Sequence, residues 1–154
     1  MKKIDFEKAP VRRGSGYPAP FHETGMNKHR LRLGLAAGLT RFGVNRLHLQ
    51  PGAWSGQRHW HSHDEEFVMV LSGEVVMVTD EGEEVMRAGD CAGFAAGDTN
   101  GHHLINRSEA EAVVLEIGTD HPADDVCTYS DIDMIARGPG YEHRDGTPYP
   151  VRTR

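Results

Sequence analysis

Three histidines stand at alternate positions, His59, His61 and His63, and three acids follow at once, Asp64, Glu65 and Glu66. Successive side chains of a β-strand point to opposite faces, so His59 and His61 can present two imidazoles to one point in space. Imidazoles converging with a carboxylate form a donor set that first-row transition metals favour. His63 competes for the same role, because alternation keeps it on that face for as long as the strand continues. Glu66 lies an odd number of steps from His61 and would point away on an uninterrupted strand. A turn or bulge within the polar stretch 62–65 would bring it back. A second histidine pair, His102 and His103, comes from a segment distant in sequence.

Other chemistry has little support. The chain contains no G-x-S-x-G elbow and no G-x-x-x-x-G-K-[ST] loop. Its two cysteines, Cys91 and Cys127, are too few for a disulfide framework and form no C-x-x-C pair, so two reduced thiols are expected, with Cys91 a buried structural one.

The elements that must position these residues are strands. Residues 44–50 alternate with Leu47 and Leu49 on one side, and Pro51-Gly52 supplies a turn. A second strand is expected over 53–61 and a third over 66–72, whose unbroken apolar run predicts cover on both faces. Strands at 74–80, 83–87, 91–94, 102–105 and 112–117 follow, separated by Gly- and Asp-containing turns. Short strands at regular spacing predict an all-β, antiparallel jelly-roll barrel. Leu31, Leu33 and Leu35 suggest a further short strand. Residues 36–43 read as a loop, because Gly34, Gly38 and Gly43 disfavour a helix. Residues 129–136 fit a docked strand or one helical turn. Trp54, Trp60 and Phe94 are expected around the barrel mouth, with Trp60 turned outward by alternation.

The length of 154 residues predicts one domain. Residues 1–30 read as an extended N-terminal arm, 31–118 as the barrel, and 119–154 as a C-terminal segment and tail packed on the barrel or a partner. Charge follows the same division: 1–30 carry seven Lys or Arg against three acids, whereas 31–136 carry six Arg against eighteen acids. Basic ends on an acidic centre suggest arms that fold back over a barrel, their own or a neighbour's, and hence a homodimer. An acidic body argues against nucleic-acid binding, which needs a basic face. No stretch is long and apolar enough to span a membrane, and no apolar region follows the basic start, so a cytoplasmic protein is expected.

The motifs resemble the cupin superfamily. Its first motif is matched by His59-Trp60-His61, four residues, Glu66, six residues and Gly73, with Gly52 one residue further from His59 than the pattern has its leading Gly. The second opens here at Gly89-Asp90 and closes with His102, three residues and Asn106. Ala95 stands where the family has Pro, and the segment between Gly97 and His102 is two residues longer, so His102 and His103 both remain eligible as the inward residue. The phrases RHWHSHDEEFVMVLSGEV and GHHLINRS also resemble a group of small single-domain bacterial cupins. The resemblance implies a double-stranded β-helix and one divalent transition metal per chain, whether Fe, Mn, Ni, Cu or Zn. It implies His59, His61, Glu66 and His102 as ligands, with two adjacent positions open for a small-molecule ligand. The function so implied is oxygenase, isomerase or lyase chemistry on a small oxygen-rich metabolite chelated by the metal. A non-catalytic cupin that binds or senses a metabolite is the alternative.

Overall fold

A computed structural model describes residues 3–121 and 123–150. Residues 1–2, Pro122 and residues 151–154 lie outside the described residues. The strands are β1 (Val11–Arg13), β2 (Lys28–Arg32), β3 (Phe42–Leu49), β4 (His59–His61), β5 (Glu66–Ser72), β6 (Glu74–Thr79) and β7 (Gly82–Arg87). They continue with β8 (Cys91–Phe94), β9 (His103–Ile105), β10 (Ala112–Thr119), β11 (Val126–Tyr129), β12 (Ile135–Arg137) and β13 (Gly140–Glu142). One helical turn, α1 (Leu33–Ala37), follows β2. Three antiparallel sheets result, in the orders β1-β2-β3-β10-β5-β8, β13-β12-β11-β4 and β7-β6-β9. The expected all-β barrel is what the chain adopts.

The core lies between the sheets. Alternation on β3 and β5 sends Leu47, Leu49 and Val70 inward, where they meet Val75 and Val114 in one cluster, all five almost wholly buried. Each such side chain contributes roughly 1.5–3 kcal/mol on leaving water. Gly73, between β5 and β6, has φ +74°, and a Cβ there would stand 2.8 Å from the Glu111 carbonyl oxygen. Only glycine turns the chain at that point.

Several local expectations are corrected. The strand anticipated over Leu31, Leu33 and Leu35 stops at Arg32, and α1 begins at once. The glycines that argued against a helix serve it instead. Gly38, at φ +73°, closes its C-terminus, and Gly34 lets α1 lie against β3, because a Cβ there would come within 2.8 Å of the Val44 nitrogen. Of the strand expected over 53–61, only β4 forms. The Trp54 and Ser55 carbonyl oxygens accept hydrogen bonds from the Lys28 and Arg30 side chains rather than from a neighbouring strand. The apolar run of β5 is buried on one face only, and Phe67 and Leu71 stand exposed on the outside of the six-stranded sheet. Cys91 is exposed rather than buried, and the buried thiol is Cys127; neither forms a disulfide.

The stretch 1–29, read as lacking regular structure, carries β1, which pairs with β2 of its own chain. The segment after β10 also returns to its own barrel, through β11 against β4. Among the described residues no helix is long and apolar enough to cross a membrane.

Candidate metal centre

β4 and β5 belong to different sheets, and the bend between them resolves the parity of Glu66. The chain leaves one sheet after His61, turns through 62–65 and enters the other with Glu66 directed back toward β4. Asp125, just before β11, holds this bend. Its Oδ1 accepts from the backbone N–H groups of His63 (2.9 Å) and Asp64 (3.2 Å). Thr119, at the end of β10, adds a second tie, its hydroxyl accepting from the Glu65 N–H at 2.8 Å.

Three imidazoles surround the Glu66 carboxylate. From Glu66 Oε2, His102 Nε2 lies at 2.9 Å, His59 Nε2 at 3.5 Å and His61 Nε2 at 3.8 Å. Donors bound at about 2.1 Å to one ion lie roughly 3.0–3.4 Å apart in octahedral or tetrahedral arrangements; the His102 and His59 spacings lie close to that range, and His61 stands further out. The far nitrogens of two rings are occupied: His59 Nδ1 faces the Gln57 carbonyl oxygen at 2.7 Å, and His61 Nδ1 faces Asp125 Oδ2 at 2.6 Å. Each acceptor favours a proton on Nδ1 and leaves the Nε2 lone pair aimed at the centre, an outer arrangement typical of metal-ligating histidines. His102 is fixed differently. Its backbone pairs with that of His59 in an isolated antiparallel bridge, and the Phe94 ring stacks on its imidazole, centroids 3.4 Å apart.

Charge in the cluster is finely set. Burial opposes ionisation of Glu66, but hydrogen bonds from His102 and His59 outweigh it and hold the carboxyl well below the usual range. Burial also opposes protonation of His59, yet Glu66 draws it above the ordinary histidine value; for His102 burial wins and moves it down. A metal needs the carboxylate ionised and the imidazoles neutral, so its binding would displace any proton on His59.

Of the four residues that the resemblance implied, His59, Glu66 and His102 form one close group and His61 stands at its edge, 3.8 Å from Glu66; the competitors lie elsewhere. His63 is exposed, its Nδ1 facing the Ser62 hydroxyl. His103 is buried but turned away, with Nδ1 against the Gly56 carbonyl oxygen and its ring edge-on to Trp54. Asn106 is a turn organiser, donating to the Leu49 and Ala110 carbonyl oxygens. Phe94 takes the expected place beside the centre. Trp60, expected outside, lines the outer cavity beside His61.

Sequence reasoning missed Asp125 and Cys127. Asp125 is separated from His61 by most of the barrel, and the only hint was that an imidazole ligand requires an acceptor for its second nitrogen. Cys127 pairs with His61 across β4 and β11, and its sulfur falls with one nitrogen of each of His59 and His61 inside a 4.8 Å group. Burial pushes its thiol up to about 12.

Of the cavities that reach the cluster, two share Glu66 and His102. The outer one, about 350 Å³, reaches His61, Glu66 and His102 from the end of the β6–β7 hairpin. The inner one, about 200 Å³, reaches His59, Glu66 and His102 from beneath β1 and β2.

The cupin domain family matches residues 45–118 of the chain. A search of curated proteins gives no significant match. Among solved structures, a protein of Silicibacter pomeroyi described as a sugar phosphate isomerase from a cupin superfamily is 43% identical. The alignment covers 97% of this chain and 98% of that one, with a TM-score of 0.90. A protein of Acidithiobacillus ferrooxidans, provisionally described as a sugar phosphate isomerase, is 25% identical over 86% of either chain, with a TM-score of 0.70. A polyketide cyclase of Streptomyces resistomycificus shares the fold at 18% identity and a TM-score of 0.60, over 77% of this chain and 79% of that one. With a barrel of this topology, and with likeness at that level over nearly its whole length, this protein belongs to the cupin superfamily as one of its small members.

Proposed function

We propose that the protein is a metal-dependent enzyme that isomerises a small phosphorylated sugar, with His59, His61, Glu66 and His102 holding one divalent transition metal. The observation that carries this reading is the convergence of three imidazole nitrogens on one carboxylate oxygen at 2.9–3.8 Å, where two cavities meet. The choice of isomerisation over oxygenase or lyase chemistry is supported by the 43% identical relative described as a sugar phosphate isomerase. A metal bound there would hold and polarise adjacent hydroxyl and carbonyl oxygens of the substrate. The chain's own contribution is orientation: Gln57 and Asp125 fix two rings, Phe94 fixes the third, and the buried strands keep them in place.

Elemental analysis of the purified protein, before and after reconstitution, tests this reading. One equivalent of metal is expected in the wild type and none in His61→Ala. Wild-type protein should interconvert an aldose phosphate and its ketose partner, followed by NMR, and lose this activity with a chelator. A wild type that retains no stoichiometric metal after reconstitution would sink the proposal.

Residues 31–118 serve in this reading as the barrel, with 1–30 and 119–154 as segments that complete the site. The exposed Phe67 and Leu71 on the outer sheet favour a second copy of the chain as their cover. Light scattering that returned a monomeric mass would remove the dimer from the reading.

A further inference from the structure

The inner cavity is built around cations that the ligand cluster does not need. Lys28 and Arg30 stand two apart on β2 and so project to the same side, and Arg12 joins them from β1. Arg30 is already neutralised, its guanidinium donating two hydrogen bonds to Glu116 at 2.7 and 2.9 Å. Lys28 is not. Only 5% exposed, its ammonium donates to the carbonyl oxygens of Trp54 (3.1 Å) and Ser55 (2.6 Å), and among the described residues no carboxylate forms an ion pair with it, Glu116 acting on it only from a distance while held by Arg30. Arg12 also forms no salt bridge among the described residues, whose ion pairs fall elsewhere. The one other carboxylate lining the cavity is Glu66, which the imidazoles surround.

Burying an ammonium without a counter-charge is costly, and proteins ordinarily avoid it. Here the fold makes room for it. A Cβ on Gly25 would come within 2.9 Å of Lys28 Nζ, and one on Gly16 within 2.8 Å of an Arg12 terminal nitrogen. Lys28 and Arg30 share the Ser55 carbonyl oxygen as acceptor, which keeps the two positive groups adjacent in spite of their repulsion. Burial first, and then Arg30, push Lys28 down to about 7, a cost that an anion between the cations would relieve.

We propose that this cavity is an anion subsite for the phosphate monoester of the substrate, with Arg12 and Lys28 as its direct ligands and Arg30 as a positioning residue. The proposal rests on the reading of the neighbouring cluster as the centre that handles the sugar end. Because His59, Glu66 and His102 line the same cavity, one short molecule can reach both. Two unpaired cations facing one space suit a dianion with several acceptor oxygens; a carboxylate would need only one of them.

Titration of inorganic phosphate into the chelator-treated full-length protein, read by calorimetry and ³¹P NMR, tests the subsite apart from the metal. Saturable one-to-one binding is expected, with acetate a poor competitor. Arg12→Ala and Lys28→Met are each expected to weaken phosphate by about tenfold or more, the effect of removing a charge-assisted hydrogen bond. Glu66→Ala should lose the metal and keep phosphate binding. If Lys28→Met does not fold, Arg12→Ala decides, since its side chain lies on an exposed strand. No saturable phosphate binding by the wild type would overturn the proposal, as would wild-type phosphate affinity in folded Arg12→Ala and Lys28→Met, or acetate competing as well as phosphate. A chain that binds metal but not phosphate would lose the subsite and keep the proposed centre. One that binds phosphate but not metal would do the reverse.

Discussion

The two cavities that flank the ligand cluster differ sharply in charge. The outer one is lined by acids, among them Asp64, Glu81, Glu83, Glu84 and Asp98, and by no lysine or arginine. The inner one gathers Arg12, Lys28 and Arg30, with one of the three cancelled by Glu116. Both use Glu66 and His102 as a common wall. The barrel supplies that wall and the acids of the outer cavity, whereas the segment before it supplies the three cations of the inner one. An anionic substrate is therefore repelled on one side of the cluster and attracted on the other, which gives the centre a direction that its ligands alone do not have.

The largest effect on this contrast is expected from Arg30→Met. It leaves the Glu116 carboxylate, one-fifth exposed, without its partner in the inner cavity. A loss of roughly 3 kcal/mol is expected, at the lower end for breaking a buried pair, measurable by urea unfolding. Glu116→Gln/Arg30→Met should recover much of it, and a double variant no more stable than Arg30→Met would mean that the charge imbalance was not the cause.

Asp125→Asn acts on the wall itself. Metal affinity should fall about 10- to 100-fold as His61 loses its anionic acceptor, by competition with a chromophoric chelator. Burial opposes ionisation of Asp125, but its hydrogen bonds from His61 and from the His63 and Asp64 backbone hold its carboxyl below the usual value. A group depressed in the folded state contributes stability that is present above its unfolded value, near 4, and lost as the pH falls through the folded one. Metal-free Asp125→Asn should accordingly show a flatter acid limb of thermal stability below about pH 4; an unchanged limb would remove Asp125 from that linkage.

The smallest effect belongs to the acidic rim. Neutralising Glu81 and Glu84 together should speed association of an anionic ligand roughly twofold to fivefold at low ionic strength. The gain should fade as salt shortens the Debye length to about 8 Å or less. Stopped-flow rates that do not respond to salt in either protein would mean that the rim does not steer.

Much of the centre was legible because the cues were local. His59 and His61 share a face through strand periodicity, and the polar stretch 62–65 gave Glu66 room to turn. Strands from β5 to β10 announced themselves through apolar residues bounded by Gly and Asp. Prediction failed where a distant group took over a local one. Residues 53–61 read as one strand, but the Lys28 and Arg30 side chains capture the Trp54 and Ser55 carbonyl oxygens, and only an isolated bridge from Trp54 to Ile105 precedes β4. Gly34 and Gly38 read as breakers, although one gives α1 its close packing and the other its cap.

By itself, then, the sequence determined an antiparallel barrel and, through its likeness to a family, which four side chains to expect around one point, since periodicity and motif spacing depend on neighbours along the chain. Only the tertiary structure could show which of His102 and His103 faces Glu66, because they are neighbours at the edge of one short strand and their placement depends on the backbone bridge between His102 and His59. Only it could bring Asp125 to His61 and Arg12 to Lys28. Those pairings join residues whose separation along the chain carries no periodic signal, and they exist because the flanking segments fold back onto the barrel.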